Sequence, residues 1–192
     1  MAVVRKPNIG PFLRRRWHDL RSGPWLMCSR PFPVSAKMRI SPGPRRSQGR
    51  SVYLLDTNVI SEARKGDLAN PGVVAFLDRV REENLPVYLS AISIGEIRQA
   101  VERIRRRGET ESAKKLEAWL TKFSSDYDSR ILAFDLECAL VWGVLCAVEP
   151  ARPIDKQVAA IALVHDLTLV TGSASGFSRT GARVLDPFSK LS

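Results

Sequence analysis

Three carboxylates stand where this chain could do chemistry. Asp56 follows a short apolar run, Val52-Tyr53-Leu54-Leu55, Glu96 comes soon after a second strand-like segment, Pro86–Ser90, and Asp155 lies in the first turn of a helix opened by Pro153. Each falls at a strand exit or a helix entry, and open α/β sheets form their sites at the carboxyl ends of strands. Carboxylates gathered at one edge repel unless a proton or a cation intervenes. Hard oxygen donors without His or Cys nearby favour Mg2+, with Mn2+ as the alternative. Such an ion can activate water and stabilise charge on a phosphoryl group during in-line displacement. The expectation is a divalent-metal site that cuts nucleic acid.

Each residue also has a plainer reading. Ser93-Ile94-Gly95-Glu96 matches a capping box, in which Glu96 only satisfies a backbone N–H at a helix start. Asp155 can complement a helix dipole, and Asp56 can cap the turn that follows it. Position alone does not separate these readings.

The elements that must hold the three acids follow from periodicity. Val52–Leu55 reads as a buried strand, and Val59–Lys65 and Val73–Arg81 have helical spacing. Pro86–Ser90 is strand-like, Ile92–Arg107 is a long amphipathic helix stopped by Gly108, and Ser112–Phe123 repeats the helical pattern. A strand is expected at Arg130–Phe134, helices at Leu136–Val148 and Pro153–His165, and strands at Thr168–Thr171 and Arg183–Leu185. Strands alternating with helices imply an α/β fold with a mainly parallel central sheet and helices on both faces.

Composition divides the chain in two. Residues 1–50 hold 12 Lys/Arg against one acid, a net of +11, whereas residues 51–192 hold 18 against 19, a net of −1. The first segment lacks periodicity and is scattered with proline and arginine, so it is expected to be a disordered extension. It is a basic arm for RNA phosphates, or else a gene-model extension upstream of a start near Met38 or Val52. The domain proper is then 51–192. No apolar run approaches the ~20 residues that cross a bilayer. Cys28, Cys138 and Cys146 form no CxxC pair; Cys138 and Cys146, eight apart in a helical pattern, are expected to be buried thiols, in a reducing cytoplasm.

Several stretches in order resemble a known family. Val52-Tyr53-Leu54-Leu55-Asp56-Thr57-Asn58-Val59-Ile60-Ser61-Glu62 resembles the opening of PIN domains of the VapC/FitB type. Ser90-Ala91-Ile92-Ser93-Ile94-Gly95-Glu96-Ile97 resembles their second acidic motif, and Pro153–Ala162 the third, with Leu167–Thr171 as the strand after it. The resemblance implies a PIN-like fold and a Mg2+-dependent ribonuclease toxin of a type II toxin–antitoxin pair. It implies Asp56, Glu96 and Asp155 as metal-binding acids, with Asn58 and Ser173 as partners that orient them. It also implies an RNA substrate, a homodimer and a small VapB-like antitoxin. The chain departs from the pattern at Thr171-Gly172-Ser173-Ala174-Ser175-Gly176-Phe177, where Gly176 takes the place of a fourth acid. That loss leaves a second expectation open, a weakened or inactive module that keeps antitoxin binding.

Arg98, Arg103, Arg105, Arg106 and Arg107 follow Glu96. They read as a solvated helix face paired with Glu102 and Glu109, or, for Arg98 and Arg103, as RNA contacts. Trp119 and Trp142 are expected in the core or a subunit contact rather than as base-stacking platforms. His165 is given no catalytic role.

Overall fold

The apolar run after Ser51 forms β1 (Tyr53–Leu55), and it is buried on both faces because it lies in the middle of the sheet. This computed structural model describes residues 51–189, so the expectations for residues 1–50 lie outside the described residues. β1 pairs in parallel with β2 (Val87–Ser90) on one side and β4 (Thr168–Val170) on the other. β3 (Ile131–Leu132) extends the sheet beyond β2, and β5 (Arg183–Leu185) extends it beyond β4. The order β3-β2-β1-β4-β5 is parallel throughout. The chain therefore runs outward from β1 in one direction, then returns to build the other half, and the reversal of strand order lies between β1 and β4. That is where open α/β sheets leave a crevice at the strand ends.

Helices supply the two outer layers: α1 (Thr57–Ala63), α2 (Pro71–Glu82), α3 (Ala91–Arg106), α4 (Thr110–Asp126), α5 (Leu136–Val148) and α6 (Pro153–Val164). Alternation along β1 decides which face each residue serves. Leu54 joins Leu169, Val141, Val144, Val158 and Ile161 in the core shared with α5 and α6. Tyr53 and Leu55 join Val59, Phe76, Ile97, Val101 and Leu116 in the core shared with α1 to α4. The expected parallel sheet with helices on both faces is what forms.

Boundaries move for local reasons. α1 begins at Thr57, two residues before the expected start, because Asp56 caps it by accepting from the Thr57 N–H at 2.8 Å. β3 keeps two residues of the expected five. It is an edge strand paired in register at Ile131 and Leu132 alone, a short 3-10 turn takes Asp128–Arg130, and Asp135 caps α5 from the other side. Gly108, at φ +83, ends α3 as expected, in the left-handed conformation that favours glycine. Cys138 is fully buried, but Cys146 is half-buried, so the expectation of two buried thiols holds for the first alone.

Candidate functional site

Asp56 stands at the carboxyl end of β1, beside Thr171 at the carboxyl end of β4, so the first acid sits at the strand-order reversal. Its side chain is buried, with 8% of the residue exposed, yet it has three donors. Oδ1 accepts the capping N–H of Thr57, and Oδ2 accepts from Asn58 Nδ2 at 2.8 Å and from Thr171 Oγ1 at 2.6 Å. The hydroxyl of Thr171 in turn accepts from Asn58 Nδ2 and from the Ser173 N–H, both at 3.0 Å. Asn58 Oδ1 accepts the Gly172 N–H at 3.1 Å, which ties the loop after β4 to α1. Asn58 thus orients Asp56 directly. Ser173 acts through its backbone rather than its side chain, and Thr171 fills the role expected of it.

Glu96 arrives from the other flank of β1. The helix α3 starts at Ala91, capped by Ser90, whose Oγ accepts the Ser93 N–H at 2.8 Å. Glu96 is therefore in the second turn, and the capping box suggested by Ser93 does not form. Its carboxylate is instead free to reach across to α1, where it accepts from Thr57 Oγ1. One short segment, Asp56-Thr57-Asn58, so supplies an acid and the hydroxyl and amide that hold two acids in place.

Asp155 lies in the first turn of α6, as the helix dipole would favour. Its Oδ2 pairs with Arg152 Nε at 3.2 Å, the two side chains being 28% and 54% exposed respectively. Arg152 has φ 53 and ψ 58, a left-handed conformation that L side chains rarely adopt. Its guanidinium lies against Gly176. A β-carbon on Gly176 would collide with that guanidinium and stand 2.9 Å from Asp155 Oδ2. The position expected to hold a fourth acid is therefore filled by the arginine.

Two of the carboxylates respond to burial and to their acidic neighbours. Burial, and after it the charge of Asp155, push the Asp56 carboxyl above the usual range, against the pull of Thr171, Thr57 and Asn58. Burial does the same to Glu96, with Asp56 and Asp155 adding to it and Thr57 opposing. Yet among the described residues no three His, Cys, Asp or Glu side chains form a ready-made metal cluster. Each acid is turned toward its own partner: Thr171 and Asn58, Thr57, or Arg152. The donor chemistry, all carboxylate oxygen, fits a hard divalent cation.

The basic stretch on α3 is drawn away from the acids. Arg98 pairs with Glu102 at 2.6 Å and with Glu117 of α4, and Arg105 joins the same two glutamates at 2.6 and 2.7 Å. Glu117, not the expected Glu109, is the partner on the neighbouring helix. Arg103 is exposed. Trp119 stacks on Phe123 at 4.9 Å beneath Arg64, and Trp142 donates to the Pro153 carbonyl at 3.1 Å, so both serve packing within the fold.

A family model, described as PIN domain, matches residues 53–182. The chain belongs to the PIN-domain family. Two curated relatives agree in extent. The plasmid stability protein StbB of Pseudomonas syringae pv. tomato is 31% identical over 143 residues, covering 71% of this chain and 99% of that protein. Toxin FitB of Neisseria gonorrhoeae is 32% identical over 144 residues, again 71% and 99%. The crystal structure of FitAcB from Neisseria gonorrhoeae superposes with a TM-score of 0.62 at 30% identity, over 72% of this chain and 99% of that one. The resemblance anticipated from the motifs is thus shown. Within this PIN domain, sequence reasoning missed Thr57, Thr171 and Arg152 as members of the site. The signal for Arg152 was its place three residues before Asp155, across one helical turn, with an acid absent at Gly176.

Proposed function

We propose that this PIN domain is the toxin of a toxin–antitoxin pair and that it cleaves RNA with the help of a divalent cation. The observation that carries the reading is the gathering of Asp56 and Glu96 on the one segment Asp56-Thr57-Asn58, at the strand-order reversal. Burial and the charge of neighbouring carboxylates leave both in a condition that a cation would relieve. Asp56, Glu96 and Asp155 would hold Mg2+ or Mn2+. The bound ion would supply an activated water and Lewis acidity toward the phosphate. The chain's own work is orientation: Thr171 and Asn58 fix the Asp56 carboxylate, and Thr57 fixes that of Glu96.

The partner follows from the relatives. One is a toxin and the other a plasmid stability protein. A nuclease toxin harms the cell that makes it unless a second protein masks it, so a small VapB-like antitoxin covering the acidic edge is the expected partner. A homodimer and a cytoplasmic location belong to the same reading; no helix among the described residues is long and apolar enough to cross a membrane.

A second reading has an observation of its own. Asp155 is engaged by Arg152, and residues 172–177 contain no acid. The domain would then bind its antitoxin but cut poorly. The experiment is cleavage of a defined single-stranded RNA by the full chain with Mg2+, Mn2+ or EDTA. The nuclease reading expects metal-dependent cleavage that Asp56→Ala removes. Absence of cleavage at every metal concentration, with antitoxin binding intact, establishes the second reading.

A further inference from the structure

A site that handles a polyanion at an acidic edge needs a fixed cation beside the acids. Residues 51–192 carry a net charge of −1 and so offer no general attraction for a polyanion, which leaves the task to a local cation. Arg98, Lys156 and Arg152 stand within three residues of Glu96 or Asp155, and the first two are already committed elsewhere. Arg98 is held between Glu102 and Glu117 on the face shared by α3 and α4. Lys156, next to Asp155 in sequence, is buried, and its ammonium donates to the Ala151 carbonyl. Arg152 remains, set directly against Asp155.

Three features make the placement of Arg152 specific. Its backbone is left-handed at φ 53 and ψ 58, immediately before Pro153, where the α conformations are disfavoured for the preceding residue. Glycine would adopt that conformation at lower cost. An arginine kept there works against stability, and strained backbone of this kind gathers at functional sites. Next, the strained turn carries the side chain back over α6 so that Nε meets Asp155 Oδ2. Finally, Gly176 clears the room. The 3-10 turn Ala174–Phe177 is pinned by Phe177, which is 1% exposed in the core under α5 and α6. A side chain at 176 would drive the guanidinium out.

A guanidinium has five N–H donors in a planar fork suited to phosphate. With Nε on Asp155, the Nη groups remain for a second acceptor, and the half-exposed side chain lets one approach. We propose that Arg152 is a phosphate-binding residue of this site, holding a non-bridging oxygen of the RNA backbone beside Asp155, with Gly176 as the residue that makes room for it. This rests on RNA being the substrate, but it does not require that cleavage be efficient.

The test uses the full chain in EDTA, so that metal-supported cleavage is excluded. Binding of a short unstructured single-stranded RNA is read by fluorescence anisotropy across a salt series. Arg152→Gln is expected to bind about tenfold more weakly, with a salt slope shallower by about 0.7 for one lost contact to a single strand. Gly176→Ala keeps every charge but displaces the guanidinium, so it should weaken binding in the same direction. Gly143→Ala, whose added carbon meets nothing within 4 Å, should bind as the parent does. Because the basic residues 1–50 also attract RNA, a second readout reports on Arg152 itself: phenylglyoxal labelling followed by peptide mass spectrometry. Saturating RNA should protect Arg152 and leave the exposed Arg81 labelled. Equal labelling of Arg152 with and without RNA, or unchanged affinity in both Arg152→Gln and Gly176→Ala, overturns the proposal. Metal-dependent cleavage by the parent chain in the same preparation reports separately on the nuclease reading.

Discussion

Thr171→Val isolates the device that holds the central carboxylate. Thr171 is fully buried, and valine has nearly its shape, so the substitution removes a hydroxyl without opening a cavity. That hydroxyl donates to Asp56 Oδ2 at 2.6 Å and accepts from the Ser173 N–H and Asn58 Nδ2 at 3.0 Å. Losing a hydrogen bond to a charged group costs about 1.5–3 kcal/mol, and leaving a donor such as the Ser173 N–H without its acceptor costs about 1–3 more unless water reaches it. Asn58 is spared, because it still donates to Asp56. The expected loss is therefore about 3 kcal/mol, which for a chain of this size lowers the melting temperature by about 6–12 °C. Thr171→Ser keeps the hydroxyl and should lose no more than about 1 kcal/mol. Urea unfolding in EDTA, followed by circular dichroism, measures both. If Thr171→Val stays within about 0.5 kcal/mol of the parent, the hydroxyl is not holding Asp56, and the account of the site's preorganisation fails. The carboxyl of Asp56 should also titrate higher in the valine variant, since the Thr171 hydrogen bond is what opposes burial most strongly there.

Three further outcomes are expected. Saturating Mg2+ or Mn2+ should raise the melting temperature of the parent, by an amount equivalent to about 2.7 kcal/mol at one hundred times the dissociation constant, and Asp56→Ala should abolish the shift in differential scanning fluorimetry. Burial depresses the His165 imidazole below its ordinary value, against Asp135 and Glu137, so the unfolded chain takes the proton more readily. Its contribution to stability is present above about pH 6.5 and is lost as pH falls through the depressed value; the difference in urea stability between the parent and His165→Gln should therefore narrow on acidification, by at most about 1.4 kcal/mol per pH unit. The Cys138 thiol is pushed up to about 12 by burial and by Asp135, so in a Cys28→Ser, Cys146→Ser background the native protein should not react with a disulfide reagent at pH 8, whereas the unfolded protein should.

How much of this was legible in the sequence depends on whether the information was local. The elements were, because β1, β2 and β4 are short apolar runs between helical patterns, and both faces of a parallel sheet must be covered. Asp56 and Asp155 were legible for the same reason, each being fixed within one or two residues of an element's end. Glu96 was found but wrongly placed. Ser90 and Ser93 both offer a helix cap, and only the structure shows that Ser90 takes it, which moves Glu96 into the second turn and toward Thr57. Thr57 and Thr171 were hidden more deeply, because their partners come from distant parts of the chain; Arg152 lies three residues from Asp155, but the room it takes beside Gly176 is set by the fold. Thr171 reads as one more β-branched residue ending a strand until β4 pairs with β1 and sets it beside Asp56.

Arg152 shows why the departure at Gly176 had to be interpreted together with its surroundings. Taken along the chain, a glycine in place of an acid looks like simple loss of a metal-holding group. Taken in space, it removes a negative charge and a β-carbon together from the one place where a guanidinium now rests against Asp155. Restoring an acid at 176 would therefore not restore a vacant ligand position; its β-carbon would first have to displace the end of the Arg152 side chain. Gly176→Asp alone would set its new carboxylate against a guanidinium that competes with a metal for it, and truncation of Arg152 frees that carboxylate. Comparing metal-induced thermal shifts of Gly176→Asp and of Gly176→Asp with Arg152→Ala separates the two accounts: loss of a ligand predicts a gain from the single change, and exchange of an acid for an arginine predicts a gain from the double change alone.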